Sequence, residues 1–117
     1  MKDLLDFVKN EFNKKALFEE GLLVDTIAET EKLVSEVSYG KYVNIVFKNS
    51  SMKDIFIDKL LTARPDANII NCNCSLDKFS ELNINNLSGL LVFNNIKKCK
   101  HSEIIETIKN YKGIMIC

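Results

Sequence analysis

The stretch Tyr42-Val43-Asn44-Ile45-Val46-Phe47-Lys48-Asn49-Ser50-Ser51-Met52-Lys53-Asp54 decides how the chain folds. Its first six residues are β-branched and aromatic, short, and bounded by polar positions, which is the pattern of a strand. Lys48 to Ser51 reads as a polar loop. From Met52 to Ala63 the apolar residues Ile55, Phe56, Leu60 and Leu61 recur at helical spacing. Pro65 stops that helix, because proline disfavours helix at the residue before it. A strand, a loop and a helix make half of a βαβ unit. The chain supplies the other half at once, since Ala67-Asn68-Ile69-Ile70-Asn71-Cys72 reads as a second strand.

The same alternation continues downstream. Residues 75–87, around Leu76, Phe79 and Leu82, read as a short helix or turn region. Gly89-Leu90-Leu91-Val92-Phe93 is a nearly continuous apolar run, as expected of a strand covered on both faces. Ser102 is placed to cap a helix that runs to about Tyr111, with Glu103 and Glu106 near its positive end. Gly113 releases it, and Ile114-Met115-Ile116-Cys117 reads as a last strand.

Upstream, residues 1–40 read as helix throughout. Leu4, Leu5, Val8, Phe12, Leu17 and Phe18 form one stripe, and Gly21 breaks the run. A second helix carries Val24, Ile27, Ala28, Leu33, Val34 and Val37, with Gly40 placed as its C-terminal cap. Both stripes are read as core packing or as a docking surface. The expected fold is α/β with three layers: a mostly parallel four-stranded sheet flanked by helices. An N-terminal helical segment, 1–40, packs on or beside the core, 41–117, in a single domain.

Length and charge bound what this fold can do. A chain of 117 residues buries about two-thirds of its unfolded surface, enough for a true core. No apolar run nears the roughly 20 residues that span a bilayer, and the start Met1-Lys2-Asp3-Leu4-Leu5-Asp6 is acidic and amphipathic rather than signal-like. A cytoplasmic protein away from membranes is therefore expected. Residues 1–40 hold five Lys against nine Asp/Glu (net −4), and residues 41–117 hold eleven Lys/Arg against seven acids (net +4). Arg64 is the lone arginine, which argues against sequence-specific reading of nucleic acid, where arginine is the usual bidentate contact.

The four cysteines, Cys72, Cys74, Cys99 and Cys117, are expected to be reduced thiols. Cys72-Asn73-Cys74 and Cys99-Lys100-His101 have one-residue spacings, unlike the usual zinc knuckles, so no metal is expected. A thiol enzyme using Cys72, Cys74 or Cys99 with His101 lacks an evident ordering third group.

In parallel α/β sheets, ligands bind at the carboxyl ends of the strands. A phosphate-binding P-loop, G-x-x-x-x-G-K-[ST], would fall on Phe47 to Asp54, where only Lys53 matches. Phe47 and Met52 replace the glycines, and Asp54 replaces the magnesium-binding hydroxyl. After the strand Leu90–Phe93, the two positions where acids would hold magnesium and position water are Asn94 and Asn95. Asn94 keeps the shape of aspartate without its charge, and Asn95 cannot accept a proton from water.

Together these pieces resemble the core of an AAA+ nucleotide-binding domain of the helicase-loader or clamp-loader kind. The likeness rests on the lead-in ending Val37-Ser38-Tyr39-Gly40, the strand Val43–Phe47, Lys53, the strand Leu90–Phe93 with Asn94-Asn95, and Ile114–Cys117 at the sensor 1 strand. It covers about residues 35–117. It implies that 114–117 lies inside the sheet next to 42–47, with the outer edge of 42–47 left open to a partner strand or a second copy. It also implies that the degraded Lys53, Asp54, Asn94 and Asn95 are vestigial and that no cofactor or catalysis remains.

The expected role is a non-catalytic interaction and regulatory module, acting on a replication or other nucleic-acid ATPase. Lys97, Lys98, Lys100 and His101 are its candidate contacts. The alternative is weak nucleic-acid binding through Lys48, Lys53, Lys97, Lys98 and Lys100 at the carboxyl edge of the sheet, which salt would weaken steeply.

Overall fold

The computed structural model describes residues 2–18, 21–37, 44–111 and 113–117. The chain is α/β, with a five-stranded parallel sheet between two layers of helix. Four of the strands are those the period-2 and buried runs mark: β2 (Asn44–Phe47), β3 (Asn68–Asn71), β4 (Leu91–Asn94) and β5 (Ile114–Ile116). The fifth, β1 (Leu22–Val24), lies in the segment read as all helix. It separates α1 (Lys2–Phe18) from α2 (Ile27–Val37), so Val24 belongs to a strand and not to the second helix. The proposed cap at Gly40 and the start of the strand at Tyr42-Val43 lie outside the described residues.

The strand order is β1-β2-β5-β4-β3. Leu22 pairs with Ile45, Ile45 with Ile116, Met115 with Phe93 and Phe93 with Ile70. β1 therefore occupies the edge beside β2 that the sequence reading left open to another chain. That expectation is corrected: the chain covers this edge with its own residues. β5 enters tightly beside β4, and a Cβ at Gly113 would stand 2.6 Å from the Leu91 carbonyl oxygen.

Alternation along the strands sends neighbouring side chains to opposite faces. Val24, Ile45, Val92, Ile114 and Ile116 face α2 and α3 (Ser50–Ala63), meeting Leu33, Val37, Phe56 and Leu60. Ile70, Phe93 and Met115 face the other layer, where α4 (Leu76–Glu81) and α5 (Ser102–Ile108) supply Phe79, Ile104, Ile105 and Ile108. α1 lies on this second side, against α5.

Helix starts differ from the sequence reading for local reasons. α3 begins at Ser50 because Asn49 is its cap, its Oδ1 accepting from the Met52 N–H at 3.0 Å. α5 is capped by His101, without a side-chain hydrogen bond. Ser102 is not the cap: it is buried, and its hydroxyl donates to Asp6 Oδ1 at 2.6 Å. No helix among the described residues is long and apolar enough to cross a membrane.

α1 departs furthest from expectation. Leu4, Leu5, Val8 and Phe12 are exposed, so this part of the stripe is not core packing, whereas Phe18 at its end is half-buried against the second core cluster. Among the described side chains of α1, the buried ones are Asn10, Asn13 and Lys14.

Candidate functional site

Parallel pairing brings the carboxyl ends of all five strands to one edge of the sheet, and the residues after β2, β3, β4 and β5 meet there. Lys53, in the first helical turns after β2, reaches across to the residues following β4. Its Nζ donates to Asn95 Oδ1 at 2.9 Å. Asn95 Nδ2 donates in turn to Asn71 Oδ1 at 3.0 Å, at the end of β3. Asn71 Oδ1 also accepts from the Asn73 N–H at 3.0 Å. Asn95 sits in the left-handed region (φ 60), which asparagine tolerates better than most residues, and its N–H bonds to Asn94 Oδ1 at 2.8 Å.

Of Lys53, Asp54, Asn94 and Asn95, the structure brings Lys53 and Asn95 together. Asn94 turns to its own neighbour, and Asp54 is exposed. Phe47 and Met52, which stand where a phosphate loop needs glycine, are half-buried. Phe47 packs against Phe56, with ring centroids 5.3 Å apart.

A groove of about 850 Å³ opens beside this edge, between α1 and the segment after β4. Lys97, Lys98, Lys100 and His101 all line it, so the four candidate contact residues share one surface. Asp6 and Glu11 of α1 face them across the groove.

α1 is held there by polar bonds. Lys14 Nζ donates to the carbonyls of Lys97 (2.8 Å) and Cys99 (3.1 Å) and pairs with Glu11 at 3.0 Å. Asn10 Nδ2 donates to the Cys99 carbonyl at 2.9 Å. Lys9 pairs with Glu106 at 2.8 Å. Asn10 Oδ1 and Asn13 Nδ2 are buried without partners. Sequence reasoning missed Asn10, Asn13 and Lys14. Their three- and four-residue spacing marks a polar helix face, but nothing local says that this face docks.

Cys117, just past β5, feels Lys97, Lys14 and Lys53, each of which favours its thiolate. Burial outweighs them, and the thiol is pushed up from its ordinary value. Cys72 is pushed up to about 12, chiefly by burial and further by Cys99 and Cys74 nearby. Burial also raises Cys99. Thiols held this way are poor nucleophiles near neutral pH. Among the described residues, no group of three or more His, Cys, Asp or Glu side chains is placed to hold a metal ion.

No family model, curated protein or solved structure matches the chain.

Proposed function

We propose that the chain is a non-catalytic protein-interaction and regulatory module on a degenerate P-loop-type fold, acting on a nucleic-acid ATPase in replication or a related process. The observation that carries this reading is the Lys53–Asn95–Asn71 chain of hydrogen bonds. The lysine that would neutralise phosphate is engaged by an amide. The two positions after β4 that would hold magnesium and position water carry amides with no negative charge, and the hydroxyl position carries Asp54, whose carboxylate would repel phosphate unless a cation intervened. The strand order adds support, because β5 lies inside the sheet beside β2, where the AAA+ likeness would place it. What this leaves for function is surface: the basic side of the groove opposite the acids of α1, an arrangement suited to partner choice and encounter.

Titration calorimetry with ATP and Mg²⁺ tests the loss of nucleotide binding. No saturable heat is expected, and binding that Lys53→Ala abolishes would overturn the reading. The regulatory half is tested by adding the chain to a helicase-loader or clamp-loader ATPase. A changed turnover rate that Lys97→Glu with Lys98→Glu reverses is expected, and an unchanged rate counts against the role.

Weak nucleic-acid binding is the second reading. It is favoured by the gathering of Lys97, Lys98 and Lys100 on one groove at the carboxyl edge. Fluorescence anisotropy with single-stranded DNA at low salt tests it, and a flat titration removes it.

A further inference from the structure

The two edges of the sheet are finished differently. Along a strand, the N–H and C=O of one residue point to the same side, and successive residues alternate between the two sides. At β1 the Val24 carbonyl accepts from the Lys48 N–H at 3.0 Å, so Leu22 and Val24 turn to β2 and Leu23 turns outward. The outward N–H groups on either side of it are taken: Gly21 donates to the Phe18 carbonyl at 3.0 Å and Asp25 to Glu29 Oε2 at 3.2 Å. At β3 the Asn68 and Cys72 N–H groups donate to the Leu90 and Asn94 carbonyls at 2.7 and 2.8 Å, so Ile69 and Asn71 turn outward. The outward N–H groups beyond them are closed as well, Ala67 onto the Arg64 carbonyl and Asn73 onto Asn71 Oδ1, both at 3.0 Å. Between those closures the N–H and C=O groups of Ile69 and Asn71 have no partner among the described residues, where β3 is the outermost strand. No charged residue, proline or bulge blunts Asn68–Asn71, although these are the usual means of closing an edge to other chains.

We infer that β3 takes an extended peptide of a partner protein as a sixth strand, and that this peptide is acidic. Two donors and two acceptors in line along an edge are the complement of another strand's backbone. A cavity of about 450 Å³ flanks the edge, between β3 and α4, with Ile70, Cys74, Leu82 and Lys78 in its lining. Alternation sends the peptide residue opposite Ile70 toward this cavity. A second copy of the chain has no side chain to put there. Antiparallel pairing of two β3 edges through Ile69 and Asn71 sets Ile70 opposite Ile70, and Ile70 is 3% exposed, already held in its own core.

The charge of the occupant follows from the same cavity. Lys78 is the one charged side chain among its described lining residues. The cavity also shares Asn73 with the groove of Lys97, Lys98 and Lys100, so a peptide leaving β3 at its carboxyl end meets three more lysines. The sequence that fits is an apolar residue with Asp or Glu two positions away, on the same face of the strand. This inference rests on the reading of the chain as a protein-binding module, and it names the chemistry of the partner.

A displayed library of decapeptides selected on the full chain tests it. The selected peptides should share the apolar residue and the acid two positions away. The strongest, labelled and titrated by fluorescence anisotropy, should lose at least about tenfold in affinity on Lys78→Glu. Ile69→Pro should cost as much, because it removes an outward N–H and leaves the bonds to β4 in place. Methylating the peptide nitrogens that face β3 should abolish binding, whereas methylating the alternate ones should not. Peptides that bind wild type and Ile69→Pro equally, a basic consensus, or indifference to which nitrogens are methylated would overturn the inference. If Ile69→Pro fails to fold, Lys78→Glu and the methylated peptides decide. A dimer in sedimentation equilibrium that Ile69→Pro dissociates would put a second copy on this edge and overturn the peptide. A chain that alters an ATPase through Lys97 and Lys98 yet selects no edge peptide would overturn this inference and leave the regulatory role standing; edge peptides without effect on any ATPase would do the reverse.

Discussion

Helices α1 and α5 pack against each other on the same face of the sheet, and they are fastened by opposite means. α5 has 7 residues and sinks Ile104, Ile105 and Ile108 into the core beside Phe93 and Met115. α1 has 17 residues and buries Asn10, Asn13 and Lys14. Fully burying an isoleucine stabilises by about 1.5–3 kcal/mol, whereas a typical hydrogen bond nets about 0.5–1.5 kcal/mol. The shorter helix is thus an integral part of the core. The longer one is a latched arm whose apolar side remains available. The contrast teaches that helix length and amphipathic pattern do not rank how firmly a helix is held; what lies beneath the buried face does.

The largest expected effect falls on α5. Ile105→Ala should cost about 2–5 kcal/mol of global stability, read as a lower urea midpoint, because a fully buried side chain leaves a cavity. Val8→Ala in dilute solution should change stability by less than about 0.5 kcal/mol. Equal losses at the two positions would break the comparison.

Lys14→Met comes next. It removes charge-assisted bonds to two carbonyls and should weaken the docking of α1 by about 1.5–3 kcal/mol. The readout is amide hydrogen exchange: α1 should exchange faster while α5 keeps its protection. Loss of protection in both helices would mean that α1 is part of the core after all.

Asn13→Leu carries the opposite sign. Its Nδ2 is buried without a partner, so replacing the amide with an apolar side chain of similar size should raise stability by about 1 kcal/mol and slow exchange in α1. A loss would mean that the amide is satisfied in solution.

The smallest effect lies at the other end of the sheet. The hydrogen-bonded Arg64 guanidinium holds the Asp66 carboxyl at about 2, below its ordinary value. A depressed folded value means that the contribution is present above about pH 4 and is lost as pH falls toward 2. The pair is exposed, so the slope should be slight. Asp66→Asn should flatten that slope and leave α1 exchange untouched, which separates acid sensitivity at this edge from the latch.

Much of the architecture can be read from period alone. The runs at 44–47, 68–71, 91–94 and 114–116 are β-branched, short and punctuated by Pro65, Gly89 and Gly113. Such runs, alternating with helical spacing, have parallel pairing as their natural solution. The candidate site was half legible. Lys97, Lys98, Lys100 and His101 are close in sequence, and the turn after β4 carries them together to one groove. That Lys53 would bond to Asn95 depends on the left-handed backbone at Asn95, which no spacing encodes.

The order of elements from β2 onward, and the lack of a glycine-rich phosphate loop before α3 and of acids directly after β4, were determined by the sequence alone, because each depends on residue type at fixed local spacing. Three matters were decided only by tertiary structure: the entry of Leu22–Val24 into the sheet, the closing of the edge beside β2, and the direction in which α1 presents its apolar side. A three-residue strand is too short to establish a period, and its pairing energy comes from a partner far along the chain. An amphipathic helix likewise defines two faces without naming which is covered; that choice was made by the carbonyls of Lys97 and Cys99, which offer Lys14 and Asn10 their bonds.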